Sequence, residues 1–188
     1  MNIEQEFTVA RPLEQVWDFF QGVPEVVKCL PGAELTEELV DGQFKGKLDV
    51  KVGPMSVSFD GKATVTSDAA AKTGVIEGSG ADRRGGSRGK VKVEYSLAEV
   101  DGGTKVSMDA DIAIFGPAAQ FGRVGLIKEM SSRLIVDFTV CLEGKLAAET
   151  VEESQAITAV EVSGASLFFA SLWAAIAAFF KKLVGGEN

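Results

Sequence analysis

Arg83, Arg84, Arg88 and Lys90 stand among Gly80, Gly85, Gly86 and Gly89 in the segment SGADRRGGSRGK, residues 79–90. Cations on a glycine-rich backbone form a nest for anions, such as an acidic protein surface or lipid headgroups. The glycines do not follow the GxGxxG spacing between a strand and a helix, so no nucleotide-binding turn is implied, and a solvated hairpin accounts for the same residues. Elsewhere, residues able to do chemistry are sparse. Histidine is absent from the 188 residues, which removes the commonest general base and the commonest metal ligand together. The carboxylates Asp60, Asp82, Asp109, Asp111 and Glu129 show no spacing that would set one acid against one base. Cys29 and Cys141 are the two cysteines and lie far apart in the chain, which reads as two buried thiols in a reducing cytosol rather than a disulfide, a metal knuckle or a redox pair. No catalytic residue and no metal ligand is expected.

The charge balance narrows the partners. Lys and Arg total 19 against 27 Asp and Glu, a net charge of −8, so no face-wide basic excess is available to neutralise phosphates and nucleic acid is not expected. The first residues, MNIEQEFTVARPLEQV, contain no basic run followed by an apolar core, so no secretory leader is expected and the domain is placed in the cytoplasm. The other end is different: residues 162–180 carry no charge, between Glu161 and the pair Lys181 and Lys182. As a helix they would span about 28 Å, near the lower limit for a bilayer core. Phe168, Leu172, Ile176 and Phe179 fall on one face, with Phe169, Trp173 and Phe180 beside it. Trp173, Lys181 and Lys182 suit the headgroup zone, and these nine residues are the expected membrane contact.

Before this tail the elements must build one domain. Residues 3–9 alternate with period two, as a strand with one wet face does. Leu13, Val16, Trp17 and Phe20 share one side of a short helix opened by Pro12, and a second short helix runs from about Pro24 to Leu30. Turn signals at residues 41–42, 53–54, 68–72, 83–89 and 101–103 then divide six strands in a meander. From residue 118 to about 148 the apolar spacing becomes three to four, a long helix. Residues 149–161 are short, acidic and weakly patterned, a flexible linker. The expected organisation is a folded domain over 1–148, the linker over 149–161 and the apolar tail over 162–188. The fold class is α+β: a curled antiparallel sheet around a long C-terminal helix, the helix-grip architecture, plus a tail helix.

With this order of elements, five segments resemble the family of the carbon monoxide dehydrogenase G subunit, within the START-like helix-grip superfamily: FTVARPLEQVWDFF (7–20), CLPGAE (29–34), FKGKLDVKVGPMSVSFDGKATV (44–65), SGADRRGGSRG (79–89) and IFGPAAQFG (114–122). The resemblance covers residues 1 to about 146. It implies a non-enzymatic protein that accompanies aerobic carbon monoxide dehydrogenase and helps link it to the membrane, where a respiratory quinone takes the electrons.

The inward strand faces offer Phe44, Leu48, Val50, Met55, Val57, Phe59, Tyr95 and Met108, and the helix offers Phe121, Val124, Ile127, Met130 and Leu134. Such walls suit a flat ring with a polyprenyl chain, menaquinone being the expected ligand; any one of these residues taken singly reads as plain core, and it is the set that points to a cavity. Donors for the ring carbonyls would come from Tyr95, Ser131, Arg123 or a backbone N–H near Gly116. The expected partners are therefore the dehydrogenase, the inner face of the cell membrane and a lipophilic quinone. Two alternatives stay open: a recruitment adaptor with a solid interior, and a small-molecule cyclase or hydrolase on the same fold.

Overall fold

The computed structural model describes residues 1–52, 55–82, 84–121, 124–148 and 151–158. Strand β1 (Asn2–Val9) turns Ile3, Phe7 and Val9 inward and Glu4 and Glu6 to solvent. Helix α1 (Leu13–Gln21) follows Pro12, whose φ of −58° already suits a helix, and it buries Val16, Trp17 and Phe20. Helix α2 (Val23–Lys28) carries Pro24 in its first turn and ends at Cys29.

Six strands follow: β2 (Ala33–Glu38), β3 (Gln43–Val52), β4 (Met55–Asp68), β5 (Thr73–Ala81), β6 (Arg88–Val100) and β7 (Gly103–Phe115). Each pairs antiparallel with the next, and β1 returns to pair with β7, giving the order β1-β7-β6-β5-β4-β3-β2. Between β2 and β3, Asp41 and Gly42 both hold positive φ, 56° and 68°, the combination that an Asp-Gly pair accepts at a tight turn. The free edge at β2 is short, breaks register between Leu35 and Glu37, and bears Glu34, Glu37 and Glu38, features that discourage pairing with another chain. A 3-10 turn at Pro117–Phe121 leads into helix α3 (Val124–Ala147). That helix runs beside β1 across the inner face: Gln5 reaches Ser132, Phe7 packs edge-on against Phe138, and the Ala10 N–H donates to the Glu143 carboxylate.

Two expectations change. Cys29 and Cys141 are not separate thiols but one disulfide, because α2 ends against the C-terminal part of α3, a proximity that sequence separation conceals. Within the 149–161 linker, residues Val151–Ala156 form a further helix, α4, and Ile157 packs against the core beside Gly144. Lys145 ties this segment down by donating to the Ser154 carbonyl at 2.9 Å. The tail over 162–188 lies outside the described residues.

Candidate functional site

The core is unevenly filled. Where α1, α2 and the C-terminal half of α3 meet the sheet, Val9, Val16, Trp17, Phe20, Leu97, Val106, Phe138 and Leu142 are buried in one cluster closed by the disulfide. Tyr95 belongs to this end. Its ring lies 5.3 Å from that of Phe20 and covers Gly74, where an added Cβ would collide with it. Burial pushes the Tyr95 phenol above its ordinary range, and a hydrogen bond with Gln21 partly offsets that.

The other end of the inner face is looser. Cross-strand registers align Gly46, Gly61, Gly80 and Gly89 in one row over β3 to β6. Each of these positions lacks a side chain on the pleat that faces α3, so a shallow floor replaces what would be core. Phe59 leans over the row, with an added Cβ at Gly80 3.2 Å from its Cβ and one at Gly89 3.8 Å from its ring. Around the row, Leu48 is 42% exposed, and Val50, Phe59, Val91, Ile112 and Ile114 are half-buried. The N-terminal half of α3 contributes Ile127, Met130 and Leu134, also half-buried, at i, i+3 and i+7 on one helix face. Partial burial of so many inward apolar side chains makes this end of the inner face a partly open apolar cleft rather than a closed core.

The residues expected to line a cavity therefore separate. Leu48, Val50, Phe59, Ile127, Met130 and Leu134 are half-buried or exposed at or beside the cleft, Met108 packs against the closed cluster in register with Tyr95, and Phe44, Val57 and Tyr95 are buried. Met55, Phe121 and Val124 fall in described elements, but their side chains lie outside what is described, as does Arg123 entirely. Phe168, Phe169, Leu172, Trp173, Ile176, Phe179, Phe180, Lys181 and Lys182 likewise lie outside the described residues. Ser131 is half-buried on α3. A pair not singled out in the sequence stands where the cleft meets the packed end: Gln5 Nε2 donates to Ser132 Oγ at 3.2 Å, with Gln5 in register beside Met108. The available signal was Gln5 itself, the polar exception among the inward residues Ile3, Phe7 and Val9.

The arginine-rich loop is not an open nest. Asp82, nearly buried, accepts the Arg84 N–H at 2.9 Å with its own carboxylate, and its backbone carbonyl takes the Gly86 N–H. Ser87 Oγ accepts the Ala118 N–H and fixes the loop to the 3-10 turn. The Arg84 amide thus already holds an internal carboxylate. Among the described residues, no group of three or more Cys, Asp and Glu converges to hold a metal.

Residues 6–147 match the family described as the G subunit of carbon monoxide dehydrogenase (CoxG). The chain belongs to this family. CoxG membership makes it an accessory of carbon monoxide dehydrogenase on a START-like fold. No curated protein matches the chain by sequence. Among solved structures, it is similar to a protein from Geobacillus kaustophilus, at 17% identity over 78% of this chain and 95% of that one, with a TM-score of 0.69. A protein from Thermus thermophilus is 12% identical over 80% of this chain and 100% of that one, TM-score 0.58. The Zhui aromatase/cyclase from a Streptomyces species is 18% identical over 78% and 93%, TM-score 0.53. At such identities the likeness is one of fold, and it bears out the helix-grip architecture for this CoxG protein.

Proposed function

We propose that this CoxG protein carries a respiratory quinone, menaquinone being the best fit, in the cleft beneath the glycine row. In this reading its C-terminal tail holds it on the inner face of the cell membrane, and the dehydrogenase passes electrons to the quinone it carries. The observation that supports the reading is the uneven core, packed around Leu142 and left partly open around Phe59 and Leu48. A quinone ring is flat and matches a floor of glycine backbone. Its prenyl chain gains about 0.8 kcal/mol for each methylene buried against Leu48, Ile114 and Ile127. Met130 adapts to an irregular chain, and Gln5 and Ser132 offer donors for a ring carbonyl. Nothing in this role asks for a general acid or base, so the protein is read as non-enzymatic.

The test is native mass spectrometry with organic extraction of the full chain from a menaquinone-producing host, beside a chain ending at Thr158, so that the Lys145–Ser154 contact is kept. One quinone per protein in both samples is the expected result. Lipid in the full chain alone would leave recruitment without a ligand as the better account. Gly89→Leu provides the block: a Cβ there meets nothing closer than 3.8 Å, yet the leucine would fill the cleft, and quinone content should fall at least fivefold with the melting temperature kept.

A further inference from the structure

The opposite face of the same glycine row is a second site. On the outer side of β3 to β6, the cross-strand row Lys45, Lys62, Ser79, Lys90 runs beside the row Lys47, Asp60, Ala81, Arg88. They border an open groove of about 990 Å³ whose floor is the backbone of the four glycines. Five cations face it against Asp60 within it, in a chain of net charge −8. Lys45 is paired with Glu37 at 2.7 Å, whereas Lys47, Lys62, Arg88 and Lys90 form no ion pair among the described residues. Nearer β1, the outer face is acidic in balance: Glu4, Glu6, Glu94, Asp109 and Asp111 surround Lys92 and Lys105, which are paired with Glu94 and Glu6. The four unpaired cations at the groove therefore make the charge on this face uneven, and uneven charge orients an approaching partner. Phe115, 54% exposed, adds an apolar contact at the end of the groove.

We infer that this groove docks an acidic, extended segment of the partner dehydrogenase, a step that rests on the accessory role of the family. Three observations favour a protein segment over a bilayer. A concave groove receives a protruding chain, whereas a membrane presents a plane. Its unpaired cations suit carboxylates spaced along an extended strand. The described chain also leaves the domain at Ile157, beside Gly144 near the end of α3, while the groove sits by Phe115, where the sheet hands over to the start of that helix. The pole carrying the groove is thus separated from the one leading to the tail.

The experiment measures binding of the full chain to immobilised carbon monoxide dehydrogenase from the same source at low and moderate salt. Variants are Lys62→Glu with Lys90→Glu, the milder Lys62→Gln with Lys90→Gln should the reversal fail to fold, and the control Lys92→Glu with Lys105→Glu, which makes the same charge change outside the groove. At least a tenfold loss for the groove variants, with a weaker salt dependence and the control near the unaltered protein, is the expected result. Equal losses for groove and control variants, or none, would overturn the groove while leaving the accessory role intact. No binding by the unaltered protein would remove both. A loss confined to vesicles containing phosphatidylglycerol, with enzyme binding unchanged, would overturn the protein segment in favour of lipid headgroups.

Discussion

Lys145 shows how one side chain sets the stability of a whole end of the molecule. Its side chain is 1% exposed, and its Nζ donates to Glu25 Oε2 at 2.7 Å and to the Ser154 carbonyl at 2.9 Å. The Lys145 bond, followed by that from Lys28, holds the Glu25 carboxyl below its ordinary range. A carboxyl lowered in the fold stabilises it fully above the unfolded value and loses that contribution as pH falls through the folded one. Thermal melts from pH 7 to pH 3 should therefore lose stability in the acid range, and Glu25→Gln should flatten the profile. Glu25→Ala, which strands a buried ammonium, should cost on the order of 3 kcal/mol in denaturant melts. Tyr95 makes an opposite case at high pH. It is the one tyrosine of the sequence, so its phenolate absorbance near 295 nm reports on no other residue. Burial raises its pKa, so the folded protein should titrate above the ordinary phenol value, and stability should decline as pH rises between the unfolded and folded values. Titration at the ordinary value in the folded protein would mean that the ring is not packed against Phe20.

At the scale of elements, the disulfide joins the end of α2 to α3 across a sequence separation of 112 residues. Closing so long a loop in the unfolded chain stabilises the fold by roughly 5 kcal/mol in the loop-entropy account, which in a chain of this size corresponds to roughly 10–20 °C in melting temperature. Protein unfolded without reductant should show no free thiol to Ellman's reagent and two after reduction, with a lower melt for the reduced form; two thiols before reduction would exclude the bond in solution. The strands and α1 were legible in the sequence because period-two and period-four patterns are local: Val91, Val93, Tyr95 and Leu97 alternate inward whatever lies beneath them. The disulfide was not, since nothing local to Cys29 or Cys141 specifies which helix end meets which. Nor was the glycine row, for Gly46, Gly61, Gly80 and Gly89 belong to four strands and become a line only once the registers are set. Helix α4 escaped notice because six residues give too short a pattern, and what holds it is Lys145, on another element.

For the molecule as a whole, the division between folded domain and tail is the testable feature. A chain ending at Thr158 keeps Ile157 and the Ser154 contact and should melt cooperatively near the temperature of the full chain, while moving from the membrane to the soluble fraction on ultracentrifugation. Precipitation or a non-cooperative melt would make the tail part of the core. The half-open cleft follows from the same arrangement that produces the packed end: two short helices and a disulfide fill one half of the curled sheet, and the long helix alone spans the other.

The return of β1 to β7 has a consequence for how this protein is made. Asn2 finds its partner at Asp111, and Val9 at Thr104, so the strand synthesised first has no neighbour until the last strand of the sheet has emerged from the ribosome. At translation rates of about 5–20 residues per second, Ile3, Phe7 and Val9 remain without a sheet for several seconds while β2 to β6 pair in sequence. The nascent chain must keep that apolar strand from other partners throughout, and the packed end cannot close until α3, with Phe138, Cys141 and Leu142, has followed β7 out of the ribosome.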